Sequence, residues 1–320
     1  MAYQLSVSRK KQSRYCANKR GTIETKHLGS LPRGIKLLCP AKLNLYLNIA
    51  GKYSSGFHKI ESIVERISLC DEVVVETAPH NTIQIFCNRK DLENKNNLCV
   101  KAAQLLKTRY HIRHGFNIYL QKNIPPGSGL GGGSSDAASV ILAINKLCRM
   151  HLSKKVLYAL GAILGSDVNF FLAGFSFAQI SGRGEKVVPL QGMPLKHTII
   201  WPNITLSTKA VYAAYKAKLT KFISNDILLK FALRESDYAL IKAGIFNALE
   251  KPALSLCREL RKANTKLLDN NIFARVTGSG SALYTISEKS VYQLVRRILP
   301  KDWLICEVHT LTRSYSKVIG

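Results

Sequence analysis

Acidic residues are scarce in this sequence. Twenty Asp and Glu stand against 47 Lys and Arg, a formal net charge of +27 over 320 residues. A chain so short of acid attracts polyanions, whether nucleic acid, a membrane surface or phosphorylated small molecules. Other absences narrow that choice. The eight cysteines (Cys16, Cys39, Cys70, Cys87, Cys99, Cys148, Cys257, Cys306) form no C-x-x-C and have no His at metal-ligand spacing beside them, so they read as reduced, mostly buried thiols. His111 and His114 flank Arg113 without a neighbouring acid or Cys, and read as a solvated basic turn rather than a metal site. No apolar run reaches the ~20 residues a membrane span needs. The nearest, Val156 to Gly182, is broken by Gly161, Gly165 and Gly174 and reads as buried structure with one charge inside it, Asp167. No RNP-like, KH or helix-turn-helix signature accompanies the basic charge, and no internal repeat or low-complexity run is present.

What is present is ordinary for a folded protein. The chain is 46% hydrophobic and 21% charged, and its length suits two domains around a sizeable core. Residues 1–36 carry nine basic residues, one acid (Glu24) and no apolar periodicity, and read as a disordered basic extension. That composition fits the tail of a bacterial cytoplasmic protein, or the transit peptide of a plastid-type organelle. Beyond it, 38 basic residues still face 19 acidic ones, so the charge is not confined to the tail.

From Ala41 to Ile49 apolar and polar residues alternate, which predicts a half-buried strand with Lys42, Asn44, Tyr46 and Asn48 on one polar face. Strands at 72–76 and 115–121, helices at 96–107, 137–147 and 153–164, and a hairpin over 175–190 turning at Gly182-Arg183-Gly184 follow. The texture changes near residue 190. Lys-rich helices (208–221, 226–246), strands at 273–277, up to Thr285 and at 304–310, and a helix at 290–298 complete a mixed α/β (α+β) chain.

Between the 115–121 strand and the next helix lies Pro126-Gly127-Ser128-Gly129-Leu130-Gly131-Gly132-Gly133-Ser134-Ser135-Asp136, with five glycines in seven residues. Without side chains a backbone approaches a ligand closely, and a helix N-terminus just beyond favours an anion. The Walker A pattern requires Gly-Lys-Ser/Thr, and this loop has no Lys. A dinucleotide fingerprint requires an acid some 20 residues on, and none occurs between Ala137 and Ser166. A phosphate loop of another design remains. Ser134 and Ser135 offer hydroxyls to a phosphate or to Mg²⁺. Asp167 follows Gly165-Ser166 at a predicted helix start, and reads either as a plain N-cap or as a base held by the helix.

The loop resembles that of the GHMP kinases. Its triple Gly with Ser-Ser-Asp-Ala-Ala is similar to the branch acting on CDP-methylerythritol, and further segments agree in order: Pro40-Ala41-Lys42-Leu43-Asn44-Leu45, Gly56-Phe57-His58, Leu164-Gly165-Ser166-Asp167, Gly182-x-Gly184-Glu185 and Thr277-Gly278-Ser279-Gly280. The resemblance covers about residues 37 to 285. It implies a two-domain fold: an S5-domain-2-like nucleotide domain over 37–190 and a ferredoxin-like C-terminal domain over 191–320. It also implies ATP and Mg²⁺ as cofactors, a monomer or homodimer, and phosphoryl transfer to the 2-hydroxyl of the methylerythritol moiety. On the same basis Lys42 and Asp167 are the catalytic pair, residues 126–135 bind ATP with Ser134 as the Mg²⁺ ligand, and Asn44, Phe57 and His58 bind substrate. Two positions depart from the family pattern. Phe57 stands where Tyr is usual, which keeps stacking but loses a phenol. Asn169 stands where Pro is common, which predicts a looser turn after Asp167. The rival readings are a homoserine- or mevalonate-type kinase, against which residues 40–58 argue, and a basic nucleic-acid-binding protein.

Overall fold

The computed structural model describes residues 34–216 and 225–312. Most of the basic extension, and residues 217–221 of the expected 208–221 helix, lie outside them. The last three residues of the expected extension do not belong to it: Gly34, Ile35 and Lys36 open strand β1 (Gly34–Lys52), where Ile35 is buried and Lys36 pairs with Glu72.

β1 pairs antiparallel along nearly its whole length with β2 (His58–Ala78). The expected wet face of β1 is covered, and Lys42, Asn44 and Tyr46 are 4%, 6% and 3% exposed. Two neighbours cover it. The Lys42 amide donates to the Leu130 carbonyl of the glycine-rich loop at 2.9 Å, and the Asn44 amide donates to Thr277 Oγ1 at 3.1 Å. A register shift between Asn44 and Tyr46 also interrupts the alternation, and Tyr46 joins the apolar cluster of Ala41, Leu43 and Leu45.

β2 changes partner halfway. Its second half pairs with β4 (Gly115–Gln121), which carries β3 (Ile83–Cys87) in parallel at the edge, and its first half pairs with β5 (Phe177–Gly182), itself paired with β6 (Lys186–Leu190). One core packs Val73, Val75, Phe116, Ile118 and Leu120 of this sheet against Ala102, Ala103 and Leu106 of α1 (Leu98–Tyr110) and Val140, Ile141 and Ile144 of α2 (Gly132–Leu147). α3 (Lys154–Leu164) and α4 (Val168–Ala173) close the same layer. Beside them His114 turns to Cys148 Sγ at 3.7 Å, while His111 ends α1 in the left-handed conformation.

The chain changes sheets between Leu190 and β7 (Lys196–Trp201), a strand the sequence reading passed over. Then come α5 (Thr208–Ala214), α6 (Asn225–Glu235), α7 (Tyr238–Gly244), β8 (Phe246–Asn247), α8 (Glu250–Leu256), α9 (Arg258–Asp269), β9 (Ala274–Val276), β10 (Leu283–Thr285), α10 (Tyr292–Ile298) and β11 (Leu304–His309). The expected single helix over 226–246 is two, parted at Ser236 (φ 61°) and restarted by Asp237, whose side chain accepts from the Leu240 amide. β7, β9, β10 and β11 make an antiparallel sheet in the order β11-β7-β10-β9, the ferredoxin-like arrangement. β8 crosses back to pair with β1, so the later half of the chain also supplies a strand to the first sheet. Leu43, Leu45, Ile63 and Ile67 of one sheet meet Ile199, Trp201, Tyr284 and Val308 of the other in a shared apolar core. No helix among the described residues is long and apolar enough to cross a membrane.

Candidate active site

The glycine-rich loop runs between the two sheets and touches both. Gly129 (φ +83°) passes so close to the Thr277–Gly280 turn that a Cβ there would stand 2.3 Å from the Thr277 carbonyl oxygen. Gly131 (φ +74°) passes against Lys42, whose Cγ would lie 3.0 Å from such a Cβ. Both positions therefore need glycine for conformation and for space. The Ser128 carbonyl accepts from the Ala282 amide at 2.9 Å, which completes the clamp on the C-terminal side.

α2 begins at Gly132, five residues before the expected Ala137, with Gly131 as its N-cap. Gly132, Gly133, Ser134 and Ser135 therefore form the first turn. The amides of Ser134 and Ser135 turn back to the Gly131 carbonyl, both at 3.1 Å, while helix geometry gives those of Gly132 and Gly133 no acceptor of their own. Two convergent N–H groups at the positive end of a 16-residue helix make a cradle for an anion. The serines divide: Ser134 lines the cleft, whereas Ser135 is 1% exposed, its hydroxyl facing inward without a partner. Ser135 thus sits in the expected segment but does not open on the cleft.

Across the cleft Asp167 precedes α4 in a helical conformation, and its side chain makes no capping bond. Its Oδ2 lies 3.6 Å from Lys42 Nζ instead. The Lys42 side chain is 5% exposed and that of Asp167 28%, so the ammonium is enclosed while the carboxylate reaches the cleft. Lys42 Nζ also donates to Asn44 Oδ1, and Asn44 Nδ2 donates to Ser62 Oγ at 2.8 Å, which fixes the direction of the amide. Tyr212 of α5 lines the same cleft; burial, and then the charge of Asp167, push its phenol up to about 12, so it remains a neutral donor.

Beneath the loop lies a charged cluster that sequence reasoning missed. Lys122 Nζ binds Asp71 and, at 2.8 Å, Asp136 Oδ2, and all three side chains are buried. Asp71 Oδ1 accepts from the amides of Asn123 and Ile124 at 2.6 and 2.7 Å. Burial is the largest influence on Asp136; with the charge of Asp71 it outweighs Lys122 and raises the carboxyl to about 8, so near neutrality Asp136 holds its proton. Burial alone would lower the Lys122 ammonium, but the two acids keep it above its ordinary value. A Cβ on Gly132 would stand 3.1 Å from Lys122 Nζ, which places this cation directly under the first turn of α2.

The remaining expected residues lie apart. Phe57 and His58 do not line the cleft: the His58 ring packs on Tyr212 with centroids 4.8 Å apart, and Phe57 is 53% exposed with the Arg183 guanidinium 3.8 Å over its ring. Asn169 does not loosen the turn after Asp167. It is 2% exposed and its Nδ2 donates to the Glu185 carbonyl at 3.0 Å, tying α4 to the β5–β6 hairpin. Thr208, Tyr212 and Ser166 join the cleft without having been singled out, and Leu92, Leu98 and Leu120 give it an apolar end beside Asn97.

Residues 97–175 match the family model described as GHMP kinases N terminal domain. A 4-diphosphocytidyl-2-C-methyl-D-erythritol kinase of Caldanaerobacter subterraneus is 34% identical over 264 residues, 82% of this chain and 91% of that protein. One of Pasteurella multocida is 32% identical over 277 residues, 86% of this chain and 90% of its own length. Among solved structures, a 4-(cytidine 5'-diphospho)-2C-methyl-D-erythritol kinase matches with a TM-score of 0.71 at 29% identity, covering 86% of this chain and 99% of that one. A homoserine kinase from Cytophaga hutchinsonii matches with a TM-score of 0.70 at 19% identity, covering 91% and 99%, a likeness of fold.

Proposed function

The chain belongs to the GHMP kinases, in their 4-diphosphocytidyl-2-C-methyl-D-erythritol kinase branch, and from that premise we propose how its own residues carry out the reaction. It is an ATP-dependent kinase that phosphorylates an alcohol of CDP-methylerythritol, a step of isoprenoid precursor synthesis. The acceptor is the 2-hydroxyl. The glycine cradle from Pro126 to Ser134 holds the β- and γ-phosphates, with the amides of Gly132 and Gly133 aimed at them and Lys122 beneath as a fixed cation. The apolar end formed by Leu92, Leu98 and Leu120 receives the nucleobase.

Asp167 takes the proton of the acceptor hydroxyl as its oxygen forms a bond to the γ-phosphorus and the bond to ADP breaks. Lys42, 3.6 Å away, orients the carboxylate and offsets charge on the transferring group. Asn44 directs Lys42 by accepting from its ammonium. Ser134 fits Mg²⁺ by chemistry and position, as a hard oxygen donor at the helix start that opens on the cleft while its neighbour does not. Held by Ser134, Mg²⁺ would supply positive charge to offset that of the triphosphate. The cytidine end lies towards His58 and Tyr212. Cys39, Cys70, Cys87, Cys99, Cys148 and Cys257 are free thiols, which suits a reducing compartment such as a bacterial cytoplasm.

The observation that carries this reading is the Lys42–Asp167 pair facing the first turn of α2 across one cleft. The test is a kinase assay with ATP, Mg²⁺ and CDP-methylerythritol beside homoserine and mevalonate. Turnover of the cytidine substrate far above the other two is expected. Preference for homoserine or mevalonate would overturn it, as would no turnover together with tight, specific nucleic-acid binding at ~0.15 M salt.

A further inference from the structure

Arg183 occupies the variable position of the Gly182-x-Gly184-Glu185 turn, and nothing in the reaction above uses it. Its guanidinium lies 3.8 Å over the ring of Phe57, a contact between two segments 126 residues apart in the chain. Phe57 closes a short loop in which the Tyr53 amide donates to the Phe57 carbonyl at 2.7 Å and the Gly56 amide to the Tyr53 carbonyl at 2.9 Å. That fixes the backbone but not the ring, which is 53% exposed and has no polar atom to hold its plane. Arg183 supplies the hold.

Arg183 is itself anchored. Its amide donates to Glu185 Oε2 at 2.7 Å, and the Gly184 amide to the Ser181 carbonyl at 3.3 Å. Gly184 (φ +115°) is pressed so closely on Ser166 that a Cβ would stand 2.6 Å from the Ser166 carbonyl oxygen. Asn169 binds the Glu185 carbonyl from α4. An unbroken set of contacts therefore runs from the Phe57 ring through Arg183 and the hairpin to Ser166, the residue before Asp167.

We propose that Arg183 is a positioning residue for the pyrimidine end of the substrate: it covers one face of Phe57 and leaves the other as a stacking platform at a set offset from Asp167. The inference rests on the reading of function above and deepens it. Charge supports the same assignment. Lys59 lies 5.0 Å from the Tyr53 ring centroid, Lys52 adjoins His58 and Arg183 covers Phe57, so each of these three neighbouring rings has a cation beside it, the chemistry that suits a nucleoside diphosphate.

The test compares the wild type with Arg183→Met, which keeps the stem and removes the charged plane, and Arg183→Lys, which keeps the charge without the plane. Because an exposed cation–π contact is modest, KM for CDP-methylerythritol should rise about fivefold in Arg183→Met, with kcat and KM for ATP within about twofold. Phe57→Leu should raise the same KM, and adding it to Arg183→Met should cost little more, since the two residues act as one unit. Arg183→Lys should fall between wild type and Arg183→Met. An unchanged KM in Arg183→Met, a loss confined to kcat, or additive effects in the double variant would each overturn the proposal. Binding of CDP by calorimetry separates the two levels. If the wild type fails to phosphorylate CDP-methylerythritol, the functional reading falls, while weaker CDP binding by Arg183→Met still supports Arg183 and equal binding refutes it.

Discussion

Asp167 holds the N-terminal position of a helix without capping it, so its carboxylate is left for Lys42 and the cleft. Asp167→Asn keeps the shape and removes the base. We expect kcat to fall by about 10²–10⁴ while KM for ATP stays within about threefold, measured by steady-state kinetics; near-wild-type turnover would remove Asp167 from the proton transfer. A second residue-scale prediction concerns Asp136. Its folded carboxyl titrates near 8 instead of 3.8, so across that window the folded protein binds a proton that the unfolded chain has released, and stability falls as pH rises. Asn mimics the protonated acid. Asp136→Asn should therefore flatten the decline in urea-unfolding free energy between about pH 5 and 8, and an unaltered slope would show that Asp136 is ionised in the fold. Lys42, Asn44 and Asp167 were legible because each lies in a motif or in an otherwise uncharged stretch. Asp71, Lys122 and Asp136 were not, since separations of 51 and 14 residues are closed only by the pairing of β2 with β4 and the start of α2.

At the scale of elements, β1, the loop and α2 act as one part. The alternation from Ala41 to Ile49 located β1 but could not show that its polar face lies under the loop and the Thr277–Gly280 turn, because both covering segments are distant in sequence. Helix propensity placed the start of α2 at Ala137, and tertiary packing overrode it: glycines at 132 and 133 are helical because Gly131 and the loop before them are clamped on both sides. β7 was missed because Thr198-Ile199-Ile200-Trp201 is buried on both faces and has no alternation to find. The clamp yields a prediction. Gly129→Ala sets a Cβ against the Thr277 carbonyl oxygen and imposes a left-handed conformation on alanine. It should lower stability by about 3 kcal/mol and weaken ATP binding, whereas Gly133→Ala, whose Cβ would meet nothing closer than 3.6 Å, should leave stability nearly unchanged. Denaturant unfolding and nucleotide titration of the pair check this, and equal behaviour would refute the clamp.

At the scale of the molecule, the +27 that suggested a polyanionic partner agrees in sign with ATP and a cytidine diphosphate, yet the cleft itself draws on Lys42, Lys122 and backbone amides. What holds that cleft in shape is the junction of the two sheets. At its centre Glu65 of β2 and His197 of β7, both fully buried, pair at 2.8 Å; His197 Nδ1 donates to the Thr285 carbonyl at 2.9 Å, and the Thr310 hydroxyl donates to the other oxygen of Glu65. No single segment of sequence announces this pair, since its members are 132 residues apart. Removing one partner leaves the other buried without its bond, so Glu65→Ala should lower stability by about 3–5 kcal/mol, and Glu65→Ala with His197→Ala should cost less than the sum of the single changes. Both tryptophans, Trp201 and Trp303, belong to the later half of the chain. Fluorescence therefore reports unfolding of the second sheet, while circular dichroism reports both. In the wild type the two urea transitions should coincide. In Glu65→Ala they should separate, because the sheets have lost a buried polar link between them; coincident transitions in that variant would show that the apolar core and the remaining polar links suffice to couple the halves.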